Sequence, residues 1–427
     1  MHMIQVVFLT VLVFFVIVSI HEWGHYYFAK RAGILVREFA IGFGPKLFSV
    51  KRGETRYTLR LIPAGGFVRM AGEDPEIIDV QPGQTIAVRV KDNRITRLYL
   101  DRLDERSGVI RGEVVAIDLE RKLAVTLDVE GENESFAVHP AALMITKGKE
   151  TQIAPLDRQF GSKTVAQRAL AIFAGPMMNF ILAFVLFAAY IQMAGIPVGT
   201  PDKLLVGEIT EGMPASKVDL KEGDVIDAIN GVKIGTDYDK MIAIIGQSPN
   251  VPVRMDIIRD GKAQQVIITP EPNEEGVGKV GIRSTLPEMP KRPATFKETF
   301  TGAGKLMKTM TISIFEGFKK LIFGEFKLDD LGGPVRTAEV TSQIAQQGIT
   351  QLTSWTALLS LYLGIFNLLP IPALDGSRLI FLGIEAIRRR PIDPNRESMV
   401  HFVGFALIML LMLVVTYNDI LRLVRGE

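Results

Sequence analysis

The sequence predicts an α-helical membrane protein with four transmembrane helices and β-rich parts outside the bilayer. Two observations carry this. The mean hydropathy is +0.23 although 22% of the residues are charged, so the apolar residues must be concentrated in a few places. From Met3 to Ile20 the chain reads MIQVVFLTVLVFFVIVSI, without a charge; as a helix this is about 27 Å long, just enough to span the hydrocarbon core. Comparable runs cover about 169–193, 352–369 and 399–415. The 48% hydrophobic content also excludes a disordered chain.

In order, residues 1–26 are the first transmembrane helix, which ends in HEWGH. A cleaved signal fits poorly, because no Lys or Arg precedes the apolar run and no small-residue cleavage site follows it. Residues 27–84 form a cytoplasmic segment holding an apolar β-loop at about 56–73. There Tyr57, Leu59 and Leu61 alternate, Pro63 with Gly65-Gly66 marks a turn, and a free edge could add a strand from an unwound helix. Residues 85–153 read as a small cytoplasmic β-rich insert, from alternating runs such as TIAVRVKD and KLAVTLDVEG. His139, followed by Pro140 in an expected loop, has no second ligand candidate near it.

Residues 154–195 hold a linker and the second transmembrane helix. Residues 203–283 read as a compact β-rich domain with one helix. Asp224–Ile229 is a strand, Asn230-Gly231 a hairpin turn and Val232–Ile234 the return strand. Thr236 with Asp239 starts the helix, whose apolar face is Met241, Ile242 and Ile245 and which ends at Gly246. In 289–345, the Lys- and Phe-rich stretch Phe296 to Phe326 is an amphipathic helix, either at the outer membrane surface or packed on the protein. Leu328 to Val335 follows as a Gly/Pro turn. Residues 352–376 are the third transmembrane helix with NLLPIPALDG, 377–398 a cytoplasmic loop, 399–417 the fourth helix and 418–427 a tail.

Basic residues orient the helices. Lys30, Arg31, Arg37 and Lys46, then Arg158, Lys163 and Arg168, then Arg378, Arg388, Arg389, Arg390 and Arg396 flank one side, against Lys203 and Arg336 on the other. The positive-inside rule places the first set in the cytoplasm, although Arg422 and Arg425 run against it. Overall, 49 basic and 47 acidic residues leave +2, which indicates no nucleic-acid partner. The chain has no cysteine. Disulfides, thiol nucleophiles, iron–sulfur clusters and thiolate zinc sites are therefore excluded.

In His21-Glu22-Trp23-Gly24-His25 two imidazoles stand four residues apart, so on a helix they share a face and can ligate one ion. Glu22 is placed to take a proton from water at that ion. Ionisable side chains at the end of a membrane span are costly unless they pair or bind something. A catalytic zinc takes three protein ligands. His2 lies about 27 Å away along the same helix and is too far. His401 opens the fourth span and stays possible. The stronger candidate is Asp375, because Pro370 and Pro372 break the third helix just before it. The first and third spans cross in the same direction, so HEWGH and Asp375 reach the same depth. A helix-capping Asp375 is the plainer alternative.

These motifs resemble the site-2 protease family of intramembrane zinc metalloproteases over nearly the whole chain, in particular the bacterial group that cleaves anti-sigma factors. MPASKVDLKEGDVIDAINGVKI resembles a PDZ domain, placed outside the cell between spans two and three. One copy of it with the cytoplasmic insert is more like the single-PDZ type than the tandem-PDZ type. Such domains accept an extended peptide beside a strand edge, here Leu204 to Gly207; a bulky gate that binds no peptide is an equal reading. The resemblance implies one Zn2+ per chain on His21, His25 and Asp375, Glu22 as catalytic base, and Asn367 contacting substrate. It also places Gly65, Gly66, Phe67 and Val68 in a membrane-associated, substrate-binding β-loop. Gly175-Pro176 and Asn179 match a further family element, for which ordinary helix packing is at least as good a reading.

The implied partners are the lipid bilayer of a bacterial cell membrane and single-span membrane proteins, such as anti-sigma factors already cut outside or remnant signal peptides. Two other classes are weighed. An ion or proton transporter fits poorly with four spans and no inverted repeat. A catalytically idle PDZ scaffold predicts no zinc and a dispensable Glu22.

Overall fold

The computed structural model describes residues 3–73, 80–273, 276–287, 289–323 and 332–425. The chain forms two compact units, one of residues 1–190 with 296–427 and one of residues 191–295. Among the described residues, four helical stretches are long and apolar enough to cross a membrane: Ile4–Arg31, Val165–Ala194, Ile349–Asn367 and Arg396–Arg422.

In the first unit, α1 (Met3–Arg31) has no charged residue before His21, so about its first five turns are apolar on nearly all sides, as a membrane-crossing helix would be. It stops in a Schellman turn. Gly33 has φ +75, Ile34 N–H reaches Ala29 O at 3.0 Å, and Gly33 N–H reaches Lys30 O at 3.0 Å. The following strands β1 (Val36–Arg52) and β2 (Thr55–Met70) are long enough to fold back on each other. Residues 36–41 pair with 66–70 on one side and with 56–59 on the other, and 55–60 also pair with 46–52. The β-loop is thus a four-stranded sheet beginning at Val36, wider than the hairpin expected at 56–73. One edge is the 66–70 segment.

The turn joining β1 to β2 is fixed by charge. Glu54 accepts from both terminal nitrogens of Arg158, at 2.8 and 2.9 Å, and from Lys30 at the end of α1. The Arg158 hydrogen bonds, with Lys30 beside them, hold the Glu54 carboxyl down to about 2.

Residues 85–152 form β3 (Thr85–Lys91), β4 (Arg94–Tyr99), β5 (Ile110–Asp118), β6 (Ala124–Val129), β7 (Glu132–Thr146) and β8 (Lys149–Gln152). Their order is β4-β3-β5-β6-β7-β8, and a parallel β4–β7 pairing closes the first five into a barrel around Ile86, Val88, Ile95, Leu98, Val125 and Leu127. His139 is not in a loop: it lies in β7, where the β4 register shifts between Val138 and Leu143, a bulge that tolerates Pro140.

Helix α2 (Val165–Ala194) carries Pro176 in its interior. After the second unit the chain continues as α4 (Phe296–Ile322), α5 (Pro334–Gln347), α6 (Ile349–Asn367), α7 (Asp375–Arg388) and α8 (Pro394–Arg425). Helix α4 packs on the protein, with Phe300 against Phe184 and Phe318 against Tyr362. Residues 324–326 of the expected amphipathic helix and 328–331 of the expected turn lie outside the described residues. Helix α5 was not expected. Its own sequence offers no N-cap side chain, and the cap comes from α8, where buried Asp419 accepts from Gly333 N–H at 3.2 Å and Arg336 N–H at 3.0 Å. Helix α7 occupies part of the expected cytoplasmic loop. Its buried Leu382 and its ion pair from Glu385 to Arg168 seat it on the unit, while its Arg-rich end made the sequence read as a loop.

In the second unit, β9 (Ile196–Pro197) pairs with β18 (Lys291–Arg292) and β15 (Glu271–Pro272) with β16 (Gly278–Lys279). The main sheet runs β14 (Lys262–Ile268), β13 (Val253–Arg259), β11 (Val225–Ile229), β10 (Leu204–Ile209), β17 (Ile282–Thr285), with β12 (Val232–Lys233) on β11. The Asn230-Gly231 turn has positive φ at both residues, 50° and 78°, as a tight hairpin needs. Helix α3 (Tyr238–Gly246) is capped by Asp237, which accepts from Lys240 N–H at 2.9 Å, rather than by Thr236. Met241 and Ile245 are buried, but Ile242 is exposed. One expectation fails. Strand β10 is paired with β11 at Leu204–Leu205 and with β17 from Leu205 to Ile209, so Leu204–Gly207 is no free edge. The strands at the ends of this sheet are β14 and β17.

Candidate metal centre

Helix α1 presents His21 and His25 one turn apart, and α2 meets them with a row of the same pitch, Ala171, Gly175 and Asn179. The His25 Nδ1 is 2.9 Å from Ala171 O, and the His21 Nδ1 is 3.1 Å from the Asn179 side-chain amide. Gly175 lies between them. A Cβ there would come within 2.2 Å of His25 Nε2 and 2.9 Å of His21 Cε1. Gly24 performs the same service on α1, where a Cβ would lie 2.3 Å from Ala174 O. The two helices touch closely because these positions have no side chain.

Asp375 comes from far along the chain as the first residue of α7, just after the break made by Pro370 and Pro372. Its Oδ2 is 3.3 Å from His21 Nε2 and 3.4 Å from His25 Nε2, and the two Nε2 atoms are 3.1 Å apart. Two ligands of a tetrahedral ion bound at about 2.1 Å stand about 3.4 Å apart. The triangle therefore has the size of one face of such a tetrahedron. Asp375 Oδ2 is buried without a hydrogen-bond partner, which fits a metal-ligand atom. These three form the one group able to hold a metal found among the described residues. The donor set, two imidazoles and a carboxylate, suits zinc. With each Nε2 lone pair directed at an ion, both Nδ1 atoms would carry protons: one for Ala171 O, the other for Asn179 once its side-chain amide is assigned with the oxygen rather than the nitrogen facing the ring.

Glu22 is buried beside this cluster. The edge of the β-loop sheet abuts it: a Cβ on Gly66 would lie 2.7 Å from Glu22 Cγ. The other β-loop residues diverge. Phe67 is held between the Arg60 and Arg69 guanidiniums, at 5.1 and 5.7 Å. Val68 joins the buried cluster of Ile34, Val36 and Ala171, and Gly65, at φ +133, lies against the Phe43 ring. Asn367 closes α6, half-buried. His401 is not among the clustered ligands; its Nδ1 accepts from Ala373 N–H at 3.0 Å. His2 lies outside the described residues. The sequence carried no sign of the Ala171 carbonyl, since any residue supplies one. The spacing of Gly175 and Asn179, four apart like the histidines, was the readable signal.

Residues 9–411 match peptidase family M50. The chain belongs to that family. This M50 peptidase is 43% identical to the zinc metalloprotease RasP of Oceanobacillus iheyensis, over 97% of this chain and 98% of that one. It is 44% identical to the zinc metalloprotease RasP of Geobacillus kaustophilus, over 96% of each, and 43% identical to the regulator of sigma-W protease RasP of Bacillus subtilis, over 97% of each. Among solved structures, the PDZ domain of an SdrC-like protein from Listeria monocytogenes covers 21% of this chain and 92% of its own, at 24% identity and a TM-score of 0.18. By family and relatives the M50 peptidase is a metalloprotease.

Proposed function

We propose that this M50 peptidase is an intramembrane zinc endopeptidase of the bacterial cell membrane, with His21, His25 and Asp375 as ligands of one zinc and Glu22 as general base. The observation that carries this is the triangle of ligand atoms, 3.1 to 3.4 Å on a side, formed by a helix long and apolar enough to cross a membrane and the first residue of α7. Zinc bound there supplies Lewis-acid polarisation of the scissile carbonyl. The Glu22 carboxylate takes a proton from the attacking water as the C–O bond forms, and returns it to the leaving nitrogen as the C–N bond breaks. Burial of Glu22 limits competing solvent.

A substrate helix keeps its amides satisfied internally and must unwind before it can be cut. The 66–70 edge, one residue of which abuts Glu22, offers unpaired backbone groups on which the unwound segment can lie as a strand. Asn367 is assigned to substrate contact. The substrates are single-span membrane proteins, anti-sigma factors after a first outside cut and remnant signal peptides; the RasP of Bacillus subtilis is named as a regulator of sigma-W. The basic flanks support a metal centre toward the cytoplasm and residues 203–283 outside, where on this reading a PDZ-like domain acts as a size filter. A peptide partner for that domain would add at the β17 edge, since β10 is covered.

The deciding experiment is reconstitution in liposomes with single-span candidate substrates, with and without a zinc chelator, the cut mapped by mass spectrometry. Glu22→Gln is expected to keep zinc and lose cleavage by at least about a hundredfold. Wild-type turnover in that variant would sink the assignment and leave the idle scaffold, whereas proton flux without proteolysis would favour the transporter.

A further inference from the structure

The loop between α6 and α7 delivers Asp375, and it is held in a costly conformation. Ala373 has φ +77, in the left-handed region that residues with a Cβ rarely enter. Its N–H is donated to His401 Nδ1 on α8 at 3.0 Å. The His401 ring meets Phe381 of α7 edge-on at 5.7 Å, and its Nε2 lies 3.7 Å from Glu397 Oε1. One turn further along α8, a Cβ on Gly404 would come within 2.2 Å of Pro372 Cβ. Beside these contacts is an apolar cavity of about 320 Å³, lined by Ile371, Pro372, Val403 and Leu407 among others. Only 6% of the apolar window of α8 is buried. The helix therefore grips the ligand loop at two points, the hydrogen bond at Ala373 and the close approach at Pro372.

We infer that His401 is a positioning residue for Asp375: by accepting the Ala373 N–H it holds the left-handed turn from which the chain enters α7 with Asp375 as its first residue. The inference rests on the reading of Asp375 as a zinc ligand. An apolar side chain at 401 would leave a backbone donor unpaired beside an apolar cavity and remove the contact that offsets the strain at Ala373. The loop would then relax, and with it the carboxylate two residues on. The imidazole suits the task because in its neutral form Nδ1 can accept while Nε2 carries the proton.

The test uses the full-length protein and four variants: His401→Leu, His401→Asn, Ala373→Gly, and the double His401→Leu with Ala373→Gly. Zinc retained after dialysis against a fixed chelator concentration is read alongside kcat and KM. His401→Leu is expected to weaken zinc retention and kcat about tenfold each, the worth of one buried hydrogen bond, with little change in KM. His401→Asn, whose Oδ1 takes the place of Nδ1, restores both. Ala373→Gly restores most of the loss in the double variant, because glycine holds φ +77 without strain. Wild-type zinc retention in His401→Leu, or no gain from glycine at 373, overturns the inference. Should His401→Leu fail to fold, His401→Gln, whose oxygen sits one bond too far out, takes its place and must show the same loss. Asp375→Asn in parallel separates the two readings. Undiminished zinc in that variant removes the ligand assignment itself, whereas its loss together with full retention in His401→Leu removes only the role of His401.

Discussion

Gly175 on α2 and His25 on α1 stand so close that a single methyl group at Gly175 would lie 2.2 Å from the imidazole Nε2. No side chain at that distance leaves the ring in place. Gly175→Ala is therefore expected to push His25, and with it His21, out of the triangle and to strip the protein of zinc. Elemental analysis of the purified variant checks this, and a full complement of zinc would show that the helix pair can part without cost. Chain stability should fall as well, by about 1–3 kcal/mol for overpacking a closed contact.

Asp375→Asn keeps the shape of the third ligand and removes its charge. Zinc affinity is expected to drop by at least about tenfold, since the carboxylate is the only anionic donor in the triangle. Competition with a coloured chelator measures it. Zinc binding equal to wild type would return Asp375 to a mere helix cap.

Asn179 is fully buried, and its side-chain amide meets His21 Nδ1 at 3.1 Å. Replacement by leucine, of similar size, leaves the Nδ1 proton without an acceptor and the ring free to turn. A loss of about 10–100-fold in metal affinity is expected, while Asn179→Asp, which still accepts, should hold the metal. Cobalt substitution gives the readout: the visible spectrum of the tetrahedral site should weaken in the leucine variant and persist in the aspartate one. Equal spectra in both would assign Asn179 to packing alone.

Glu54, between Lys30 and Arg158, titrates at about 2 against an ordinary 4.5. A carboxyl lowered on folding contributes stability that is fully present above its ordinary value and is lost as the pH falls through the folded value. The difference in Tm between wild type and Glu54→Gln is expected to be roughly 2 °C, constant from neutral pH to about 4.5, and to shrink toward zero near pH 2. A difference that persists unchanged at pH 2 would mean that the anchor of the β-loop turn does not depend on charge.

The membrane helices were legible because their signal is local: an uninterrupted apolar run can be read without knowing its neighbours. HEWGH was legible for the same reason, its pitch being fixed by the helix that carries it. Asp375 needed one further step, the shared depth of two spans crossing in the same direction. What stayed hidden depends on distant partners. Helix α5 has no capping residue of its own and borrows Asp419. Residues 36–52 read as a link between elements, and they became half of a sheet only when 56–59 and 66–70 flanked them. The mistaken peptide edge at Leu204–Gly207 arose likewise: alternation reveals a strand, but not whether both its sides are taken. His401 is a ligand candidate in the sequence because it opens the fourth span on the same side as HEWGH, and only the structure shows its Nδ1 taken by the Ala373 N–H.

The dispersion of the site along the chain has a consequence for how the protein is made. His21 and His25 are synthesised at the outset, and Asp375 follows only after all the β-sheets and α6 have left the ribosome; the Asp419 that caps α5 is later still. A nascent chain, or one released early, carries His21, Glu22 and His25 without Asp375. A chain that stops before residue 375 therefore lacks one corner of the triangle.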